Sequence, residues 1–106
     1  MRAIHHPALD DVGLSQVLYA LSDPVRLDVV RQLACGGEAT CSSLDCGRPK
    51  SSMSHHFRVL REAGLVRTRT DGPAHMNELR RTEMDDRFPG LLAAVLDAKE
   101  KPARSF

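Results

Sequence analysis

One segment, SSMSHHFRVLREAGLV at residues 51–66, constrains the fold of this chain more than any other stretch. Its apolar residues Met53, Phe57 and Leu60 recur at the spacing that lines one face of a helix. Gly64 stands where a left-handed residue would end that helix, and residues suited to a strand follow directly. The pattern therefore predicts an amphipathic helix that is stopped sharply and continued by a strand.

The opposite face of the predicted helix is polar, and Ser51 or Ser52 is expected to cap its first turn. Hydroxyl, imidazole and guanidinium groups are the donors and acceptors that read base edges in the major groove of DNA. A solvated surface helix is the alternative interpretation of this stretch alone. His56 is turned about 100° from its neighbour and is expected to pack beneath the helix. The residues assigned to DNA are Ser51, Ser52, Ser54, His55 and Arg58.

The charge of the chain is unevenly distributed, although its formal net charge is only +1. Residues 48–81 contain eight basic residues and three acids, a net charge of +5, whereas the rest of the chain carries −4. Such a basic centre predicts a surface that attracts phosphate. One tyrosine and three phenylalanines offer few stacking platforms for single strands, which favours double-stranded DNA as the partner. The basic residues assigned to the DNA backbone are Arg48, Lys50, Arg67 and Arg69.

Length and composition indicate one soluble globular domain over residues 1–106, of which residues 1–9 are predicted to be a flexible tail. No apolar run is long enough to span a bilayer, and the N-terminus lacks the apolar segment of a signal peptide. Three cysteines, an odd number, argue against a disulfide framework. We therefore expect a cytoplasmic protein with reduced thiols and no membrane partner.

Three further helices are predicted before the segment at residues 51–66. The first covers residues 10–21, and the second is capped by Asp23, carries Pro24 at its first position and ends at a pair of glycines. A short third helix, capped by its own first residue, covers residues 40–46. This short helix and the helix predicted within residues 51–66 are joined by a tight turn and form a helix-turn-helix.

Beyond Gly64 the apolar period changes from that of a helix to that of a strand. Residues 65–70 suit a strand, residues 71–73 form a turn signal, and residues 75–81 can pair back as a second strand. This hairpin is the wing of a winged helix. The predicted fold is mainly α with a small β-hairpin (α+β), a winged helix-turn-helix of five helices and a two-stranded wing.

The last predicted helix, interrupted by a Pro-Gly pair, is strongly apolar. So much apolar surface on a terminal helix of a small domain favours contact with a partner subunit, and packing on its own core is the alternative. The apolar residues of this helix are Met84, Phe88, Leu91, Leu92, Val95 and Leu96.

Three stretches, ALSDPVRLDVVRQLA, SHHFRVLREAGLVRTRTDG and RFPGLL, resemble the ArsR family of bacterial winged-helix repressors, and the resemblance covers nearly the whole chain. The resemblance implies a homodimer joined through its first and last helices, which binds an imperfect inverted repeat in its own promoter. It also implies that an inducer releases the DNA. The residues that this places at the dimer interface are Leu14, Val17, Leu18, Leu91, Leu92, Val95 and Leu96.

The two metal sites familiar in relatives are absent from this sequence in their usual form. Many relatives carry a Cys-x-Cys pair at the start of the helix before the recognition helix, but here Thr40 and Ser42 occupy those positions and Cys41 lies between them. A second familiar site uses Asp and His residues of the C-terminal helix, yet no histidine follows His75. No cofactor is therefore required, and a regulatory metal stays a hypothesis.

Two residue sets remain as candidates for such a regulatory site. Cys35, Cys41 and Cys46 could bind a soft metal or arsenite or become oxidised, while small idle thiols are the alternative. The last two cannot chelate one ion on a regular helix, because five positions place them about 140° apart. His5 and His6 suit nickel or zinc, with Asp97 or Glu100 of the partner subunit, and an incidental pair is the alternative.

These features predict a protein that binds double-stranded DNA sequence-specifically and regulates transcription, and the resemblance implies that it is a repressor. A winged-helix adaptor that binds another protein, without specific DNA binding, is the alternative. An enzyme is not expected, because the sequence has no His-Glu-x-x-His motif, phosphate loop or nucleophile elbow.

Overall fold

The computed structural model describes residues 4–98 and has the predicted architecture, a winged helix-turn-helix of α+β type. None of its helices is both long and apolar enough to cross a lipid bilayer. A short 3₁₀ turn, Leu9–Asp11, precedes six helices and three strands. These are α1 (Leu14–Leu21), α2 (Pro24–Gly36), β1 (Ala39–Thr40), α3 (Cys41–Leu44), α4 (Lys50–Glu62), β2 (Val66–Asp71), β3 (Ala74–Leu79), α5 (Arg81–Arg87) and α6 (Leu91–Asp97).

Over residues 4–98 the structure has six helices instead of the predicted five, and a further strand, β1, beside the predicted two-stranded wing. The apolar C-terminal segment forms two helices because Pro89 and Gly90 separate them, and Gly90 has the left-handed φ of +81°. The first helix begins at residue 14 rather than 10, since Val12 is extended and buried. The additional strand, β1, is only two residues long, which is too short for its sequence to show the alternating pattern of a strand.

The start of α2 confirms the prediction from sequence. One carboxylate oxygen of Asp23 accepts hydrogen bonds from the backbone N–H groups of Val25 (2.8 Å) and Arg26 (3.2 Å). Pro24 follows at the first helical position, where its missing N–H costs nothing. Asp23 therefore fixes where α2 begins and where the turn after α1 ends.

The start of α4 corrects the expected serine cap. The helix begins at Lys50 after Pro49, and no side chain caps it. The hydroxyl of Ser52 donates instead to the carbonyl of Pro49 (3.1 Å), so this serine lies inside the first turn. At the other end Gly64 has φ +75°, as predicted.

The sheet has the order β1-β3-β2 and is antiparallel throughout. The wing consists of β2, β3 and the two-residue turn between Asp71 and Ala74, which are paired in register. Strand β1 pairs with the other side of β3, where Ala39 lies opposite Asn77. The sheet thus joins the start of α3 to the wing and positions both relative to α4.

One hydrophobic core holds these elements together. It combines the inner faces of α1, α2 and α4 with the first residues of the wing and one side of the last two helices. The apolar stripe predicted for α4 is buried in it. Its completely buried apolar side chains include Val17, Val29, Val30, Leu60, Leu65 and Val66.

The segment before the first turn corrects the prediction of a flexible tail, as far as residues 4–9 are concerned. His6 accepts a hydrogen bond at Nε2 from the backbone N–H of Thr68 (2.9 Å), and Arg80 donates to the carbonyl of Pro7 (2.9 Å). Leu9 is buried in the core. These contacts join positions more than 60 apart in sequence, so local sequence could not reveal them.

Candidate nucleic-acid interface

The outer face of α4 is polar and exposed along its first two turns. The first backbone N–H groups of any helix have no partner within it, and here no side chain caps them. Uncapped N–H groups at a helix N-terminus bind anionic oxygens well. The side chains exposed on this face are those of Lys50, Ser51, Ser52, Ser54, His55 and Arg58.

The tip of the wing lies on the same side of the molecule as this face. Pro73 and His75 from the wing and Lys50 and Ser54 from α4 line one open cleft of about 270 Å³. The floor of the cleft is Met53 and Phe57, which anchor α4 in the core. The fold therefore brings together the two elements that the sequence assigned to DNA.

The basic residues expected to bind phosphate differ in their partners. Arg48 lies 3.6 Å from a carboxylate oxygen of Asp28, and Arg69 forms a double hydrogen bond to Glu38 (2.7 and 3.1 Å). Within residues 4–98 no acid forms an ion pair with Lys50 or Arg58. These two cations of α4 are thus available to an anion without breaking a contact.

Arg67 differs most from its predicted role, because it belongs to an ion-pair network. Its guanidinium donates to Glu83 (2.6 Å) and lies 3.4 Å from Glu78, and the bond to Glu83 raises the pKa of Arg67. Glu83 also accepts two bonds from the buried Arg80 (2.6 and 3.2 Å). The Arg80 bonds, with the charge of Arg67, hold the pKa of Glu83 at about 2. Arg67 therefore joins the wing to α5.

The two adjacent histidines of α4 face different surroundings, as predicted. His55 is exposed on the polar outer face of α4, which we call the reading face, whereas His56 is half-buried, with its Nδ1 3.1 Å from a guanidinium nitrogen of Arg26. Burial lowers the pKa of His56, and the charge of Arg26 acts in the same direction. His56 is therefore a neutral packing residue in this fold.

The residues assigned to the dimer interface fall into two groups. Leu14 and Leu18 are 48% and 47% exposed, and beside them Tyr19, which the sequence did not single out, is 59% exposed. Val17 and Leu92 are instead buried in the core of their own chain, which corrects their assignment to an interface. The remaining assigned residues, which are partly buried against the same core, are Leu91, Val95 and Leu96.

The cysteines do not gather into a site. The short helix ends at Leu44 rather than residue 46, because a carboxylate oxygen of Asp45 accepts the N–H of Gly47 (2.9 Å) and forces a turn. Cys46 lies in that turn with φ +51°. Cys35 and Cys46 are exposed, and Cys41 is half-buried, with its sulfur 3.2 Å from the amide nitrogen of Asn77.

The side chains that the structure describes, those of residues 4–98, do not form a preformed metal site. Within residues 4–98, no three His, Cys, Asp or Glu side chains are grouped so that they could hold an ion. Nε2 of His6 already accepts the Thr68 N–H, and His5 is exposed. Asp97 is exposed as well, and Glu100 lies outside the described residues.

Comparisons with known proteins agree with this geometry. A family described as a helix-turn-helix domain matches residues 21–69, from the end of α1 into β2. Over 89 residues the chain is 38% identical to the uncharacterized HTH-type transcriptional regulator YceK of Bacillus subtilis strain 168, covering 81% of this chain and 89% of that protein. It is 37% identical over 73 residues to the arsenical resistance operon repressor of Staphylococcus xylosus, covering 68% of this chain and 70% of the relative.

A solved structure completes the comparison. The crystal structure of an ArsR family transcriptional regulator matches with a TM-score of 0.65 and 26% identity, covering 76% of this chain and 89% of that chain. The chain belongs to the ArsR family of winged-helix regulators. ArsR relatives are DNA-binding transcription regulators, so the prediction of a regulator rather than an enzyme is confirmed. The adaptor alternative finds no support among these relatives.

Two residues important to this ArsR fold were missed from sequence, and one of them left a signal. Arg26 is buried, at 4% exposure, although it is charged. Its spacing from Val29, Val30 and Leu33 places it on the buried stripe of α2, so its position could have been read from the period. Arg80 is 5% exposed, and its partners Pro7 and Glu83 could be recognised only from the tertiary structure.

Proposed function

We propose that this ArsR protein is a homodimeric repressor that binds an inverted repeat in double-stranded DNA through its two α4 helices. The observation that carries the proposal is the exposed polar face of α4, whose two cations have no acidic partner within residues 4–98. In a dimer two such helices would enter successive major grooves roughly 34 Å apart. The repeat of the operator would then mirror the symmetry of the protein.

Reading and positioning fall to different residues in this proposal. Ser52, Ser54, His55 and Arg58 face outward and would lie toward base edges or the phosphates beside them. Lys50, Arg48 and the uncapped N–H groups of the first turn of α4 would bind phosphates of the DNA backbone. At the wing, Arg69 would bind a phosphate by leaving Glu38, and Arg67 would do so only by leaving Glu83.

The exposed apolar side chains of α1 support the homodimer. Leu14, Leu18 and Tyr19 are each about half exposed or more, on a helix whose other side is buried. Burying such side chains against a second copy stabilises an assembly by roughly 25 cal/mol for each Å² of apolar surface removed from water. A second copy of α1 offers the matching surface by symmetry.

The test measures the anisotropy of labelled duplexes, one from the protein's own upstream DNA and one with the same bases scrambled. We expect tighter binding of the upstream duplex, with affinity that falls steeply as salt rises. Equal and weak binding of both duplexes, without dependence on salt, would overturn the proposal. Sedimentation of the wild type and of Leu18→Glu tests the dimer, and Ser15→Glu is the control because Ser15 is exposed on the same helix. Only Leu18→Glu should give monomers and lose operator affinity.

Release of the DNA by an effector is the part of the proposal that rests on family membership. A relative in Staphylococcus xylosus is named an arsenical resistance operon repressor, and this chain has three free cysteines, two of them exposed. Arsenite and soft metals prefer thiolate ligands. The binding assay repeated with arsenite, zinc, nickel and an oxidant identifies the class of effector. The variants Cys41→Ser and His5→Ala/His6→Ala then distinguish thiol from imidazole ligands.

A further inference from the structure

We infer that Arg26 and His56 are positioning residues, which fix the rotation of α4 about its axis by tying it to the C-terminal end of α1. The inference rests on the proposed function, since it concerns how the DNA-reading face is aimed. Neither residue is exposed in the way that a DNA contact would require. Their role would be to hold other side chains in register with the groove.

Arg26 is a buried cation whose hydrogen bonds converge on two helices. Its Nε donates to the carbonyl of Ala20 (2.8 Å) and its Nη2 to the carbonyl of Tyr19 (3.3 Å), both in the last turn of α1. The C-terminal end of a helix favours a cation, because its free carbonyls carry partial negative charge. The guanidinium also lies 5.1 Å from the centre of the Tyr19 ring. Arg26 is therefore fixed on the side of α1.

The remaining nitrogen, Nη1, reaches α4. It lies 3.1 Å from Nδ1 of His56, and since a guanidinium can only donate, Nδ1 of His56 must accept. His56 is then neutral, with its proton on Nε2. The bond requires this tautomer, so protonating His56 would break it and bring two positive charges together.

The hydrogen bond to His56 lies next to the exposed residues of α4, so it affects the orientation of the reading face. His56 follows His55 and lies two residues before Arg58, so a rotation of the helix that breaks the bond displaces both exposed side chains. Hydrogen bonds to base edges require accurate placement of these side chains, whereas attraction to phosphate tolerates their displacement. Loss of the bond should therefore reduce specific binding more than general binding.

The experiment compares His56→Leu with His56→Asn on the upstream and scrambled duplexes at pH 7.5. Asparagine keeps an acceptor at the place of Nδ1 and cannot become charged, whereas leucine keeps the bulk alone. We expect His56→Leu to lose on the order of tenfold in affinity for the upstream duplex, with less than about twofold change on the scrambled one. His56→Asn should keep the wild-type preference. Equal affinity of His56→Leu and wild type for the upstream duplex would overturn the inference.

A pH series distinguishes positioning from stability and decides the matter if His56→Leu does not fold. As the pH falls from 7.5 into the range below 6.5 in which His56 takes up a proton, the preference of the wild type for the upstream duplex should fall, because protonated His56 cannot accept from Arg26. The charged groups that act on His56 are Asp23, Arg26, His55 and Arg48. All four are retained in His56→Asn, so its preference should change less, and parallel curves would overturn the inference. Absence of any preference in the wild type would instead contradict the proposed function.

Discussion

Arg69 of the wing and Glu38 of the loop after α2 form a double hydrogen bond, with Nη2 2.7 Å from Oε1 and Nε 3.1 Å from Oε2. The bond raises the pKa of Arg69, so this side chain stays charged while its charge is balanced. A phosphate would need the same two donors. Glu38 therefore competes with DNA for Arg69.

The first prediction follows from this competition. Glu38→Gln should strengthen binding to a scrambled duplex about two- to fivefold, because an exposed ion pair is weak and its loss leaves both donors of Arg69 for a phosphate. The measurement is anisotropy at low salt. Asp85→Asn is the matched control, because it also removes one exposed acid but frees only Arg81. Equal gains from both variants would show an effect of net charge alone, and Arg69→Ala should abolish the gain from Glu38→Gln.

A second prediction separates base reading from phosphate binding. Arg58→Ala should weaken binding to the upstream duplex by about 1–3 kcal/mol and much less on the scrambled duplex, because Arg58 is exposed on the reading face. Arg69→Ala should weaken both duplexes alike and reduce the salt slope by about one. Titrations of both variants at four salt concentrations provide the comparison. Equal losses for Arg58→Ala on both duplexes would contradict base reading.

A third prediction concerns acid stability. The pKa of Glu83 is about 2 instead of its ordinary 4.5, so its ion pairs stabilise the fold above about pH 4.5 and lose this effect as the pH falls toward 2. Glu83→Gln should therefore lower the free energy of unfolding at pH 7 by about 1–2 kcal/mol, less than the full shift because the carboxylate is partly exposed. Urea denaturation at pH 7 and pH 3 should show the two proteins converging in acid. A constant difference would contradict the ion-pair account.

A fourth prediction concerns the end of α4. A methyl group on Gly64 would strain a residue with φ +75° and would lie 3.2 Å from a methyl carbon of Leu9. Gly90 has a similar φ but open space around it. Gly64→Ala should thus destabilise the fold by about 1–3 kcal/mol, and more than Gly90→Ala does. Thermal melting of both variants measures the difference, and equal losses would indicate that contact with Leu9 is unimportant.

Local signals in the sequence were sufficient for most of the fold. The caps and stops at Asp23, Pro24 and Gly64 depend on backbone conformations that a few neighbouring residues determine, and the structure has them where predicted. The serine cap of α4 failed because Pro49 already supplies the extended residue before the helix. The strand at Ala39 exists only through pairing with β3, which no local pattern encodes.

The sequence predicted which face of α4 is polar, but not which of the basic residues are free of ion pairs. Periodicity showed which side of α4 is polar, yet it could not show that Arg67 is held by Glu83, sixteen residues away, or Arg69 by Glu38. The same limit applies to the apolar helices. Spacing identified Val17 and Leu18 together as apolar, but only packing places one in the core and leaves the other exposed.

The hydrogen bond from Thr68 to His6 also determines how the sheet ends. Strand β2 is an outer strand, and an unpaired N–H on an outer strand can pair with a strand of another chain. The imidazole takes up this donor, so at Thr68 the sheet ends in a side chain instead of in open backbone. The segment before the first turn thereby removes one backbone donor that edge-to-edge pairing with another chain would use.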